Sequence, residues 1–431
     1  MTELITPGKA ELLQCTISST PFREPNGRNN FHVQELRIYE DICKAYFTGQ
    51  LIIETEYNTY ETFLNPGAIV QIGFEAPRSD GGPTKSYYED FRIYSYDTKP
   101  RTKNSVVHTI SLIGQEFYND KTNTVQQPFS NIPGIQAAVQ IHQQYMQAGH
   151  GGVRPLVQST GLIATEQVPH MVNNKKPIKA IHDILDSIVF AQYKSCAAVY
   201  YRDKYGHVMA PLQHLMESAR VSETFQQKFT RTYQDAFTAY NQIQHLRPMS
   251  PPGEQYAGQT ISSIDGIFKS AAAFDVQTGK YLTKNLADFD IGSLVNASAD
   301  VVKFIKGLKG SIKSLKFGGQ QLMSIIDQRK RPAQTDKQGP GGYNTSEDAF
   351  LASLTYIPKY WVSVPLQTGV NVTCGQRIFV IYPTGTDNTT VLAKTLFVPR
   401  LIHELKFTEG QNRKTIAVQG VTEIYGVDWN K

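Results

Sequence analysis

The sequence predicts a β-rich α+β chain of several domains, in which two related antiparallel β-domains are separated by a mixed α/β unit. Three observations carry this. Short apolar-alternating runs between turn-rich breaks occupy both ends of the chain, the spacing turns helical between them, and a gapless internal repeat links the two ends.

The chain has 431 residues, enough for about two to four domains with cores of their own. With 40% hydrophobic and 19% charged residues it reads as globular. The 23 Tyr and 21 Phe, spread along the length, favour β-structure and large contact surfaces. A net charge of +5 with interspersed signs gives no nucleic-acid footprint. Cys15, Cys43, Cys196 and Cys374 are far apart and form no C-x-x-C pair, which argues against zinc or a disulfide scaffold. The first residues carry acids where a signal peptide needs a basic end and an apolar run, and no stretch of about 18 apolar residues follows, so the expectation is synthesis in the cytoplasm without stable membrane insertion.

Residues 11 to 126 read as short strands at Gln34 to Tyr39, Phe47 to Glu54, Ala68 to Phe74, Tyr88 to Tyr96 and Val106 to Gln115. They are parted by turns such as Pro25-Asn26-Gly27 and Ser79-Asp80-Gly81-Gly82-Pro83, the pattern of a sandwich or barrel. Pro133-Gly134 precedes a helical spacing of Ile135, Val139 and Ile141, and Pro177 opens a stronger one in Ile178, Ile181, Leu185, Ile188 and Val189. Ala197 to Tyr201, the turn Asp203 to Gly206 and His207 to Ala210 read as a hairpin. From Glu223 to Ile243 the aromatic spacing fits a helix and the composition a strand; strand is preferred. Residues 251 to 345, rich in Gly, Lys and Pro and ending in Gln338-Gly-Pro-Gly-Gly342, read as an insertion, and strand signals resume at Tyr360.

The repeat sets Gly67-Ala-Ile-Val70-Gln-Ile72-Gly-Phe74 on Gly375-Gln-Arg-Ile378-Phe-Val380-Ile-Tyr382, and Thr109-Ile-Ser-Leu112-Ile-Gly114 on Thr415-Ile-Ala-Val418-Gln-Gly420. The glycine-to-threonine spacing is 42 residues in the first copy and 40 in the second. Glycine turns and alternation are common to antiparallel barrels, but two motifs at nearly equal separation point to duplication.

Phe91-Arg-Ile-Tyr94 through Leu112-Ile-Gly-Gln-Glu116, the helix-hairpin from Pro177 to Leu215, and Arg400-Leu-Ile-His403 to Tyr425 resemble the central baseplate hub proteins of contractile-tailed bacteriophages, which are related to contractile injection system hubs. Asp265-Gly266-Ile-Phe-Lys-Ser270 with Asp275 and Thr278 is similar to a β-segment of such hubs, and the resemblance covers most of the chain except about 290 to 345. It implies tail-tube-like β-barrel domains at 1–126 and at 221–250 with 346–431, a mixed α/β connecting domain at 127–220, and an insertion at 251–345. It further implies a homotrimer whose six barrels join the sixfold tail tube protein to the threefold central spike protein, among other baseplate proteins, with tape-measure protein or DNA passing through the channel. Such a chain is a structural part of the virion tail and not an enzyme. The alternatives are a spike-base or distal tail protein of another injection machine and a tail-associated peptidoglycan hydrolase.

The resemblance leaves the segment from Ala299 to Ile326 unexplained. On a helical wheel Val301, Ile305, Leu308, Ile312 and Leu315 share one face and Lys303, Lys306, Lys309, Lys313 and Lys316 the other, although Gly307 and Gly310 weaken a helix. The lysines are either a solvated face on a docked helix, a contact for a tail partner, or a membrane or DNA contact. No G-x-S-x-G or phosphate-loop spacing occurs, and the histidines show no metal spacing: His142 with His150, His207 with His214, His108 and His403 all read as packing or surface residues. No catalytic, cofactor-binding or metal residue is therefore assigned.

Overall fold

The computed structural model describes residues 10–57, 62–76, 85–129, 132–146, 156–158, 170–185, 198–211, 214–215, 221–226, 245–248, 268–275, 280–285, 320–326, 360–383, 391–409 and 414–428. In chain order the first strands are β1 (Glu11–Ile17), β2 (Thr20–Pro21), β3 (His32–Asp41), β4 (Thr48–Glu56), β5 (Ile69–Ala76), β6 (Lys85–Pro100) and β7 (Ser105–Gly114). Helix α1 (Gln115–Thr122), β8 (Val125–Phe129), α2 (Gly134–Ile141) with a following π turn, β9 (Leu156–Gln158), β10 (His170–Lys175), α3 (Pro177–Leu185), β11 (Ala198–Arg202) and β12 (His207–Pro211) come next. The rest is β13 (Val221–Gln226), β14 (His245–Pro248), β15 (Phe268–Asp275), β16 (Lys280–Asn285), β17 (Gln320–Ile326), β18 (Tyr360–Pro365), a short α4 (Leu366–Gly369), β19 (Arg377–Pro383), β20 (Val391–Glu409) and β21 (Thr415–Asp428). The class is β-rich α+β.

Strict alternation makes the strands. In β7, Val106, His108, Ile110, Leu112 and Gly114 are buried and the residues between them are not; β4 buries Gly49, Leu51, Ile53 and Thr55 in the same way. The five strand positions expected before residue 126 are occupied by β3 to β7, with β1 as a further strand. The region does not end in strand: Gln115–Thr122 is helical, with Glu116 in its first turn and Lys121 in its last, where each charge suits the helix dipole.

Two units of six strands emerge from the pairing. The first runs β3-β4-β7-β6-β5-β1 and the second β14-β18-β21-β20-β19-β13. Pairing within the first is antiparallel throughout, but β13 runs parallel to β19, which departs from the all-antiparallel expectation. The repeated glycines hold equivalent places. Gly67 and Gly375 have φ of 82° and 78°, in the region closed to most side chains. The Gly67 N–H donates to the Ile93 carbonyl (2.7 Å) and the Ile93 N–H to the Ala68 carbonyl (2.9 Å). The Gly375 N–H donates to the Val398 carbonyl (2.8 Å) and the Val398 N–H to the Gln376 carbonyl (2.9 Å). A one-residue bulge follows in each long strand, between Ile93 and Ser95 and between Phe397 and Arg400.

This geometry corrects the second half of the sequence repeat. Counting from the bulges, Tyr96 opposite Ile110 matches Leu401 opposite Ile424. Thr109 is therefore matched by Glu423, not by Thr415. Apolar alternation made both alignments look sound, because a shift by an even number of residues preserves it.

The units are joined by one hairpin. Before its bulge β20 lies against β19; beyond it, Arg400 to Lys406 lie against Asp41 to Glu35 of β3. Likewise β21 lies against β18 from Val421 to Gly426 and meets β1 at Glu11 opposite Ile416, where the Ala417 N–H donates to the Ala10 carbonyl (2.7 Å). The pairings β20-β3-β4-β7-β6-β5-β1-β21 thus return to β20. The apolar residues divide accordingly: Leu396, Val398, Leu401 and Ile424 pack in the second unit, and Leu405, Phe407 and Ala417 in the first. A third core, with Ala137, Ile141, Ile181, Leu185 and Tyr200, lies among α2, α3 and β11.

Between residues 251 and 345, β15 pairs with β16 and β17. Gln320–Ile326, the end of the segment read as an amphipathic pattern, is a strand parallel to β15, so that pattern does not continue as helix to Ile326. The matched glycines differ in one respect. A Cβ at Gly67 meets nothing within 4 Å, whereas at Gly375 it runs into the hydroxyl of Tyr201, a ring too buried to swing aside. Gly67→Ala is expected to cost about 1–2 kcal/mol for the left-handed backbone alone, and Gly375→Ala distinctly more, as read from thermal unfolding midpoints.

Candidate assembly site

The turn of the β11–β12 hairpin carries charge into the seam between the two units. Asp203 accepts the N–H groups of Tyr205 (2.7 Å) and Gly206 (2.8 Å), a side-chain-closed turn that fixes the direction of Arg202 and Lys204. Arg202 is buried and lies 3.4 Å from both Glu89 of β6 and Glu116 of α1, with its guanidinium 4.9 Å above the Phe47 ring. Its N–H donates to the Lys44 carbonyl (3.0 Å), and its carbonyl faces the Cys374 thiol (3.6 Å). Lys204 donates to the carbonyls of Val370 (2.9 Å) and Asn371 (2.7 Å). One turn thus touches the first unit, α1 and the loop that enters β19. A buried cation between two carboxylates contributes little net stability, but losing it would strand both acids, at a cost of about 3–5 kcal/mol.

Glu40 of β3 is the second buried charge. One carboxylate oxygen accepts the Thr373 hydroxyl and the Cys374 N–H (3.1 Å), and the other faces His403 Nε2 at 3.6 Å. His403 Nδ1 bonds Thr422 across the β20–β21 ladder (2.9 Å). In the first unit His108 Nδ1 bonds Thr98 (2.9 Å) and its Nε2 bonds Thr55 (2.9 Å). Counted from the bulges, Thr98 matches His403 and His108 matches Thr422: both units set a buried histidine against a threonine at the same rung, with the partners exchanged. Both histidines are fully buried packing residues, and burial lowers the pKa of His108. His142 and His207 are also buried; their rings lie 4.6 Å apart, His142 Nδ1 bonds the Tyr200 hydroxyl (2.7 Å) and His207 donates to the Ala45 carbonyl (3.0 Å).

A polar cleft of about 350 Å³ opens beside this seam, between Ser86 to Glu89 and the Lys204, Tyr205, Val370 and Asn371 segment. No group of three or more His, Cys, Asp or Glu able to hold a metal occurs among the described residues. Lys303, Lys306, Lys309, Lys313 and Lys316 lie outside the described residues. No helix among those described is long and apolar enough to cross a membrane.

No protein-family model and no curated protein matches the chain. Solved structures do. A tail protein from Neisseria meningitidis MC58 superposes with a TM-score of 0.51 at 10% identity, covering 97% of this chain and 96% of that one. The 43 kDa tail protein of prophage MuSo2 from Shewanella oneidensis superposes with a TM-score of 0.51 at 9% identity, covering 97% and 98%. The chain has the fold of phage tail proteins.

Within this tail-protein fold the charged residues of the seam were not found from the sequence. Arg202 stands in a run of Arg, Asp and Lys that reads as an ordinary solvated turn, and Glu40, Glu89 and Glu116 sit at strand or helix positions with no distinguishing spacing. Only pairing between distant strands buries them.

The seam titrates. Burial raises Asp203 from 3.8 to about 6, against the N–H bonds of Tyr205 and Gly206. That favours the folded state below pH 3.8, and the gain is lost as pH rises through about 6. Burial, with the Arg202 charge, lowers His142 from 6.5 to about 4, so its contribution is full above pH 6.5 and lost as pH falls through about 4. The two oppose each other over the same window. Asp203→Asn keeps the acceptor and removes one of them. The variant should lose stability more steeply than the parent between pH 6.5 and 4, by about 2–3 kcal/mol, in unfolding curves taken across that range.

Proposed function

We propose that this chain is the structural hub of a contractile phage tail baseplate, a homotrimer whose six units form a pseudo-sixfold ring between the tail tube protein and the central spike protein. The observation that carries the reading is the duplication: two six-stranded units with the same strand order, glycine turn and bulge, held in one chain by a shared hairpin. Three chains carrying two units each present six alike, so a threefold object can meet a sixfold one. The fold of phage tail proteins supports the setting.

In this reading each six-stranded unit is a tail-tube-like barrel, the first closed by the circuit through β20 and β21. The domains are 1–126, 127–220, 221–250 with 346–431, and 251–345. The ring lines a channel for tape-measure protein or DNA, other baseplate proteins bind its outside, and the lysines at 303, 306, 309, 313 and 316 contact one of them. The chain acts in the virion tail by assembly and not by catalysis.

The purified chain should elute with the mass of three copies and bind separately purified tube and spike proteins at micromolar concentration, as read by light scattering and co-sedimentation. A stable monomer with affinity for neither, or cleavage of peptidoglycan by the purified chain, would overturn the reading.

A further inference from the structure

The cleft beside the seam has a strand edge for one wall. Strand β7 ends at Gly114 opposite Phe91, where the chain turns into α1, while β6 extends past that point to Lys85 with β5 along its other edge. Both main-chain groups of Ile93 bond on the β5 side, its N–H to the Ala68 carbonyl and its carbonyl to the Gly67 N–H. Alternate residues of an antiparallel strand send both groups to the same edge, and the ladder with β5 runs without a bulge from Arg92 to Lys85. Phe91, Glu89 and Tyr87 therefore bond toward β5. The N–H and carbonyl of Tyr88 and Ser86 point to the edge that β7 has left, where they have no main-chain partner among the described residues. Ser86 and Tyr88 line the cleft.

The remaining walls are held in place. Tyr88 is 58% exposed, yet its ring lies where a Cβ of Gly73 would stand, so it rests on the β5 backbone. Across the cleft, the turn closed by Asp203 presents Tyr205, 56% exposed, with the Lys204 ammonium 4.9 Å from its ring. Lys204 in turn holds the Val370 and Asn371 carbonyls. Glu89 is buried 3.4 Å from Arg202, and Asp203 is buried and accepts the N–H groups of its own turn. Lys204 is half-buried, so the charge that a guest meets is positive.

We propose that the cleft takes an extended acidic peptide segment of a partner protein, which adds as a short strand to β6 at Ser86 and Tyr88. A row of main-chain donors and acceptors is matched in spacing by another main chain, which makes a peptide the guest. Side chains of one face of the guest lie against the Tyr88 and Tyr205 rings, and an Asp or Glu of the guest meets Lys204. The cleft, at about 350 Å³, admits a short segment and not a second sheet, which guards this edge against indiscriminate pairing. A bound strand touches β6, the β11–β12 turn and the approach to β19 together, and so ties the seam. The slot does not depend on the hub reading above.

The test selects binders to the full chain from a displayed library of random linear peptides and titrates the synthesised peptides by calorimetry. Sequences that combine Asp or Glu with β-branched or aromatic residues are expected. N-methylation of the peptide backbone should weaken binding about tenfold at alternate positions and leave it unchanged at those between, because only every second N–H faces β6. Ser86→Pro removes an N–H that faces the cleft and none that faces β5, so it should weaken binding about tenfold with the thermal midpoint near that of the parent. Changing the acid of the peptide to its amide should also weaken binding. No selected peptide, which is the result if a segment of this chain fills the cleft, overturns the proposal. So does N-methylation without a two-residue period, or a Ser86→Pro variant that binds as the parent does. A change of oligomeric state in Ser86→Pro assigns the cleft to a second copy and overturns the partner peptide. The hub reading fails separately, on the mass of the parent chain and its binding to tube and spike proteins.

Discussion

The fold depends on a β-hairpin that two sheets share. The 19 residues of β20 exceed what either unit needs, and the bulge between Phe397 and Arg400 turns the strand so that its second half lies beside β3 instead of β19. A bulge adds twist and ends one pairing without ending the strand. The side chains of a single ribbon then enter two cores, Leu401 in one and Leu405 in the other. Fully burying a Leu or Phe contributes about 1.5–3 kcal/mol, so Leu405 and Phe407 alone fix the second unit to the first firmly. Two units on a flexible linker would hold no one fixed angle to each other.

Polar groups refine what the hairpin sets. Where β20 crosses β3, Arg37 meets Glu404 at 3.0 Å and Arg400 meets Asp41 at 3.1 Å, both partly exposed. Pairs of this kind select register more than they add stability. Below them Glu40 joins Thr373, Cys374 and His403, and Arg202 joins Glu89 and Glu116. These contacts link β3, β6, α1, the β11–β12 turn and the approach to β19. Because buried charges tolerate little displacement, the seam specifies one arrangement of the parts. The exchanged His–Thr pairs show the duplication and its divergence at one rung. In the second unit the histidine Nε2 faces the Glu40 carboxylate, where in the first it bonds the Thr55 hydroxyl.

Much of this was legible in the sequence. Alternation found β3 to β7 and the terminal strands, Pro177 marked α3, and the Asp203 to Gly206 turn marked its hairpin, because each depends on neighbours within a few residues. The first glycine motif was aligned correctly because a left-handed residue before a strand is a local requirement. The Thr109 motif was aligned in the wrong place. Along β21 the pattern of Thr415 to Gly420 is as good as that of Glu423 onward, and only cross-strand pairing tells them apart. Gln115–Thr122 was missed as a helix for a similar reason: its apolar content is low, and its Glu116 and Asn119 are buried by contacts from elsewhere. The shared hairpin was invisible, since nothing in Arg400 to Lys406 states that its neighbour is residue 35 to 41.

The central claim is that the units are one cooperative structure because the hairpin belongs to both. Hydrogen exchange on the parent and on Leu405→Ala tests it most directly, the substitution costing about 2–5 kcal/mol at a buried position. Leu405 packs only in the first core. The account predicts that amides in β18 and β19 lose protection together with those in β3 and β4. Loss confined to the first unit, with β18 and β19 exchanging as in the parent, would contradict it.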